Sequence, residues 1–199
     1  MIRTPLALIP YLIATLAVGA GLLWHAGDTL SAANQAASQG EALIGGPLRL
    51  IDQDGKERRA ADYRGRFMLV YFGYSTCPDI CPTTLAVMAD SLDRLGAKAS
   101  RIVPIFVTID PERDTPKVLK AYLKAFSPRF VGLTGDAKDV AAAARAYRVY
   151  YKKVPFKGGG YAMDHSSHIY LMGPDGKFIA DYDETLGPHR LADALKTQL

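Results

Sequence analysis

Cysteine is scarce in this sequence. Only Cys77 and Cys81 occur in 199 residues, so no disulfide framework staples the domain, and a core of this size needs none. Blocks of consecutive basic residues interleaved with aromatics are also missing, and the formal net charge is only +4. That argues against a nucleic-acid partner and describes an ordinary solvated surface. There is no internal repeat. With 49% hydrophobic and 22% charged residues, the chain is neither disordered nor a polytopic membrane protein.

One stretch lacks charge altogether. Residues 6–24 are almost wholly apolar, with only Pro10 and two glycines as helix-weakening residues. As a helix they would span about 28 Å, close to the hydrocarbon thickness of a bilayer. Arg3 precedes the stretch and no Lys or Arg follows it until Arg49, so the positive-inside rule keeps the N-terminus cytoplasmic and exports the rest. The expectation is an uncleaved transmembrane anchor over residues 1–25. A cleaved signal peptide ending near Ser31-Ala32-Ala33 is the alternative, although its apolar core is usually shorter. Either way the domain lies outside the cytoplasm. Residues 26–46, rich in Ala, Gly, Ser and Gln, read as a flexible linker, and the folded domain as residues 47–199.

Within that domain strand and helix patterns alternate. Leu48 to Ile51 followed by Asp54-Gly55 predicts a small N-terminal hairpin. The continuous apolar runs Phe67–Tyr74 and Ile102–Ile109 predict strands covered on both faces. Between them Leu85, Met88, Leu92 and Leu95 form a helical stripe. Thr115-Pro116 supplies a cap and a first-turn proline for a helix over Val118, Leu119, Tyr122, Leu123 and Phe126. A short strand near Phe130–Leu133, an Ala-rich helix over 136–147 and an extended segment over Arg148–Val154 follow. Gly158-Gly159-Gly160 marks a flexible loop. Gly173-Pro174-Asp175-Gly176 joins strands His168–Met172 and Phe178–Tyr182, and a last helix starts near Pro188. The order predicts an α/β domain, a mixed sheet with helices on both faces, as in thioredoxin-like folds.

The cysteines occupy Tyr74-Ser75-Thr76-Cys77-Pro78-Asp79-Ile80-Cys81-Pro82, after the first buried strand and at a helix start. Open α/β sheets place their chemistry at that kind of junction. A helix N-terminus favours negative charge, so both thiols are expected to ionise more readily than usual. The spacing of four brings the sulfurs within reach of a disulfide or of one soft metal ion. Asp79, between them, reads either as a tuning group or as a solvated helix-end carboxylate. A metal needs a further donor, and four histidines are available: His25, His165, His168 and His189. His25 and His189 read as surface residues. On period-2 geometry His165 and His168 point to opposite faces, so one at most joins the cysteines. Met163 is a conceivable thioether donor but reads as a gap-filler.

From about Pro47 onward the chain resembles the Sco/SenC family of copper proteins involved in cytochrome c oxidase assembly. The resemblance is carried by Tyr71 to Pro82, by Ile109-Asp110-Pro111-Glu112-Arg113-Asp114-Thr115, by Phe130 to Gly135, and by Asp164-His165-Ser166 through Gly173-Pro174-Asp175-Gly176. It implies a thioredoxin-like fold with one N-terminal anchor and copper held by Cys77, Cys81 and His165. It further implies delivery of copper to the CuA centre of cytochrome c oxidase subunit II, supplied by an upstream copper donor. The location implied is the inner membrane, with the soluble domain on the periplasmic side. His168 departs from the family pattern and reads as a neighbour or substitute ligand, or as a plain strand residue. A thiol–disulfide reductase that keeps the CuA-site cysteines reduced, and a copper or redox sensor, use the same residues. A peroxiredoxin-like peroxidase is disfavoured, because Ser75-Thr76 directly precedes the first cysteine. Asp110 to Thr115 reads as a turn and helix cap.

Overall fold

The computed structural model describes residues 44–46 and 48–199. The anchor expected over 1–25, and the expected linker as far as residue 43, lie outside the described residues. Ile44 packs on the domain core, and the Gly45 amide donates to the Ala146 carbonyl at 2.8 Å.

Among the described residues nine strands and four α-helices follow. The strands are β1 (Arg49–Asp52), β2 (Glu57–Arg59), β3 (Phe67–Gly73), β4 (Ile102–Thr108), β5 (Val131–Thr134), β6 (Tyr151–Pro155), β7 (Tyr161–His165), β8 (His168–Met172) and β9 (Phe178–Asp183). The helices are α1 (Ile80–Leu95), α2 (Pro116–Lys124), α3 (Ala137–Ala146) and α4 (Pro188–Lys196). Seven strands form one sheet in the order β2-β1-β5-β4-β3-β8-β9. Its centre, β3-β4-β5, is parallel; β1 and β8 flank it antiparallel, and β9 pairs antiparallel with β8. The expected N-terminal hairpin is present as β1–β2.

Every residue of β3 and β4 is buried, as continuous apolar runs in a two-sided sheet require. Alternation then sorts their side chains. Tyr71 and Phe106 pack together on one face, where Phe106 meets Tyr122 of α2 at 5.8 Å and the Tyr71 hydroxyl reaches Cys81 of α1. Phe72 points the other way, onto Tyr147 at the end of α3 (5.2 Å) and Tyr170 of β8 (6.3 Å). Helices therefore cover both faces, the thioredoxin-like arrangement expected. Along α1 the stripe Leu85, Met88, Leu92 is fully buried, as are Leu191 and Leu195 on α4, its main helical neighbour.

The capping expectation at Thr115 holds, and Asp136 caps the next helix in the same way. Thr115 accepts from the Val118 amide (3.4 Å) and Asp136 from the Asp139 amide (2.7 Å), each satisfying a first-turn donor. The segment after α3 differs from the expectation. Arg148 takes a left-handed backbone (φ 55°), and the Val149 amide donates back to Ala144, a helix-ending motif normally built on glycine. It turns the chain into β6. The triple glycine then reverses it into β7, an antiparallel partner in full register from Tyr151↔His165 to Pro155↔Tyr161. Sequence reading placed His165 at the mouth of β8; it is the last residue of β7, in a two-stranded sheet of its own.

Asp52 closes the first hairpin from inside. Burial raises its carboxyl, but the Lys56 amide, the Arg58 guanidinium (2.7 Å) and the Asp54 amide outweigh that and hold it below the ordinary carboxylate range. A depressed folded pKa contributes stability that is complete above the unfolded value, near pH 4, and fades as the pH falls through the folded one. Asp52→Asn should lower stability at pH 7 by about 1–3 kcal/mol. In urea titrations at descending pH its gap from wild type should close below about pH 4; a gap constant with pH would show that the charge is not what stabilises the hairpin.

Candidate metal and redox site

The site sits where β3 ends and α1 begins. Gly73 closes β3, and a Cβ there would come within 2.7 Å of Cys81 Sγ and 3.1 Å of both Phe106 and Tyr71. The sulfur occupies the space a side chain would need, which is the reason for glycine. After it the chain turns, the Cys77 amide donating to the Tyr74 carbonyl at 3.2 Å, and α1 starts at Ile80. Asp79, at the cap position, makes no side-chain capping bond and is exposed, so it stands as a solvated helix-end carboxylate. Cys77 Sγ takes over the capping role and accepts the Cys81 amide at 3.4 Å.

Three side chains converge here. Cys81, with no exposed surface, has its sulfur 3.6 Å from His165 Nε2. The candidate donor atoms of Cys77, Cys81 and His165 all lie within 4.8 Å of one another. His165 Nδ1 faces the Ser166 carbonyl at 2.9 Å. A carbonyl only accepts, so Nδ1 carries a proton, and Nε2 is the ring atom turned toward the sulfurs. Tyr74 and Tyr71 hold the imidazole edge-on, at 5.9 and 6.4 Å between centroids.

The expected ease of ionisation holds for one thiol only. The Cys81 thiol donating to it, His165, and the Cys81 and Asp79 amides together outweigh burial and bring Cys77 down to about 3. Cys81 moves the other way, because its proton is held by the Cys77 sulfur and because it is buried. Both cysteines are free and lie in different settings, Cys77 half-buried and Cys81 fully buried. One is poised as a thiolate nucleophile or ligand, and the other keeps its proton until something displaces it.

The remaining candidates fall elsewhere. His168 opens β8 opposite Asp183, with Nδ1 3.1 Å from Asp181 Oδ2 but not aligned for a hydrogen bond. The period-2 comparison with His165 fails because Ser166-Ser167 separates two strands. His189 is exposed in the first turn of α4, and Met163 is buried with the core; His25 lies outside the described residues. What the sequence reading undervalued is Asp114. Its carboxylate has no exposed surface and accepts from the Ser75 amide (3.0 Å), the Ser75 hydroxyl and the Thr108 hydroxyl (2.6 Å). It ties the start of the cysteine loop to the end of β4. The signal available was an aspartate directly after an arginine in a motif that also needed a turn and a cap.

Comparison with known proteins gives the family. The SCO1/SenC family profile matches residues 36–199. The chain belongs to the SCO1/SenC family. Over 169 residues it is 37% identical to the Arabidopsis thaliana mitochondrial SCO1 homolog 1, covering 84% of this chain and 51% of that protein. It therefore spans about half the length of that relative. Bradyrhizobium japonicum ScoI, solved with copper bound, superposes with a TM-score of 0.73 at 44% identity, over 78% of this chain and 99% of that one. BsSco, described as a Sco-family cytochrome c oxidase assembly protein with a disulfide switch, superposes with a TM-score of 0.65 at 28% identity, over 80% and 94%.

The unequal thiols give a direct test. Iodoacetamide should modify Cys77 first, at a rate nearly flat from about pH 8 down to about pH 5, since a thiolate this stable is already fully formed. Mass spectrometry of the peptide carrying both cysteines measures this. A rate falling about tenfold per pH unit across that range would mark an ordinary thiol.

Proposed function

We propose that this chain is a membrane-anchored copper metallochaperone that binds copper through Cys77, Cys81 and His165 and helps assemble the CuA centre of cytochrome c oxidase. The observation that carries the reading is the convergence of two sulfurs and one oriented imidazole nitrogen within 4.8 Å. Two thiolates and an imidazole are a soft set suited to Cu(I), and one that also accepts Cu(II). The copper bound by the similar ScoI and the assembly role stated for BsSco support it. Copper here is cargo, and a three-donor site open on the side of Cys77 and His165 lets it leave more readily than a closed four-ligand cage. The partners in this reading are subunit II, through its CuA domain, and an upstream copper donor. The apolar residues 6–24 serve as the single anchor, with the domain on the periplasmic side of the inner membrane.

The second reading, reduction of the CuA-site cysteines, has its own support in the inequality of the thiols. Cys77 thiolate would attack one sulfur of a partner disulfide, forming a mixed disulfide and releasing one partner thiolate. Cys81, giving up its proton, would then attack Cys77 Sγ. The second partner thiolate leaves, and a Cys77–Cys81 disulfide holds the two-electron oxidation.

One variant separates the two. His165→Ala should lower Cu(II) affinity about 10- to 100-fold and, in cells, oxidase assembly with it, while dithiol exchange is kept. Copper stoichiometry on the soluble domain and oxidase activity in the variant strain measure the two sides. Assembly that survives the loss of copper binding would sink delivery and leave reduction. Cys77→Ser and Cys81→Ser should each abolish both.

A further inference from the structure

The β6–β7 hairpin that ends in His165 shares no ladder with the seven-stranded sheet; side chains hold it in place. Met163 packs into the core, and the turn after β4 adds a set of polar and stacking contacts. The Arg113 guanidinium lies over the Tyr161 ring, its Cζ 3.9 Å from the centroid, and donates from Nη1 to the Tyr161 carbonyl at 3.0 Å. Its Nε donates to the carboxylate of Asp110, which is 2% exposed, and that same carboxylate accepts the Tyr161 hydroxyl at 2.8 Å. Arg113 also lies 5.6 Å from the centroid of Tyr74, the ring that meets His165 edge-on. Lys153 of β6 adds an exposed pair with Glu112 (2.7 Å) and sits 4.2 Å from the Tyr161 centroid. Arg113 is thus in contact with both segments that supply the converging donors: the hairpin through Tyr161, and the cysteine loop through Tyr74.

We propose that Arg113 is the positioning residue that keeps His165 against the cysteines, and that it thereby decides whether the site takes Cu(II) as well as Cu(I). The inference rests on the copper reading above and adds how the site selects an oxidation state. Two thiolates by themselves satisfy Cu(I), whereas Cu(II) calls for a nitrogen donor and a larger coordination number. Only the planar, five-donor guanidinium can stack on one ring and donate sideways in two directions, so lysine is not an equivalent.

The test compares Arg113→Ala, Arg113→Lys and wild type in the soluble domain. Amide hydrogen exchange without metal should accelerate at least about tenfold over residues 161–165 in both variants, while the β3 and β4 amides stay protected. Cu(II) affinity and the thiolate-to-Cu(II) charge-transfer band should fall about 10- to 100-fold, with Cu(I) affinity held within about threefold. A variant that keeps both the band and the slow exchange overturns the proposal, as does one that loses Cu(I) and Cu(II) affinity equally. If Arg113→Ala does not fold, Tyr161→Phe keeps the stacked ring and removes one bond to Asp110. It should shift exchange and Cu(II) affinity in the same direction by a smaller factor, and no shift in either overturns the proposal. Failure of wild type to bind copper would sink the copper reading, while exchange in the metal-free protein still tests whether Arg113 holds the hairpin.

Discussion

Asp114 carries a carboxylate with no exposed surface, and the groups bonded to it are neutral donors: a backbone amide and two hydroxyls. Burying a carboxylate is costly unless its lone pairs are filled, and a network filled this way is rigid because losing any donor leaves charge unsatisfied. Ser75 begins the cysteine loop and Thr108 ends β4, so the two strand ends are fixed to each other through one side chain. The Thr108 hydroxyl also accepts the Asp110 amide at 2.9 Å, which sets the turn presenting Asp110 and Arg113 to the hairpin. A single buried charge thereby orders the loop carrying the thiols and the turn that meets the segment carrying the histidine.

The two thiols are chemically different because they stand at different depths of one helix start. Cys77 precedes the helix, half-buried, and receives its amides as a capping residue would; the dipole and the donors both favour a thiolate there. Cys81 lies inside the first turn, packed under Tyr71 against the glycine that ends β3. Spacing of four residues in a regular helix would give two equivalent neighbours. Starting the helix between them makes one a cap and the other part of the core.

Much of this was legible in the sequence. Alternating patterns gave the sheet's central strands and the helices, since long apolar runs and caps are local signals. The cysteine pair was legible because it stands at a strand end before a helix. The histidine was not: residues alone left His165 and His168 level, and family resemblance favoured His165. The physical reason is that its placement depends on β7, a strand in which only Met163 is buried and which shows no clean alternation, reached through a glycine turn and an arginine in left-handed conformation. Asp114 and Arg113 were hidden for another reason. Their sequence also makes a good turn and cap, and only the fold shows that the turn faces both halves of the site.

Depth also orders how a cargo would leave such a site. Cys77 and His165 are half-buried at the rim, whereas Cys81 has no exposed surface. An incoming thiolate can approach only from the open side, so exchange would proceed at the rim first and Cys81 would hold the ion last. The hairpin bearing His165 is attached by side-chain bonds rather than by a strand ladder, and such attachments open at lower free energy than the core they rest on. The imidazole is therefore the donor that can withdraw without disturbing α1 or the sheet. A carrier needs one firm ligand, one exchangeable thiolate and one retractable nitrogen, and the three residues differ from each other in those respects.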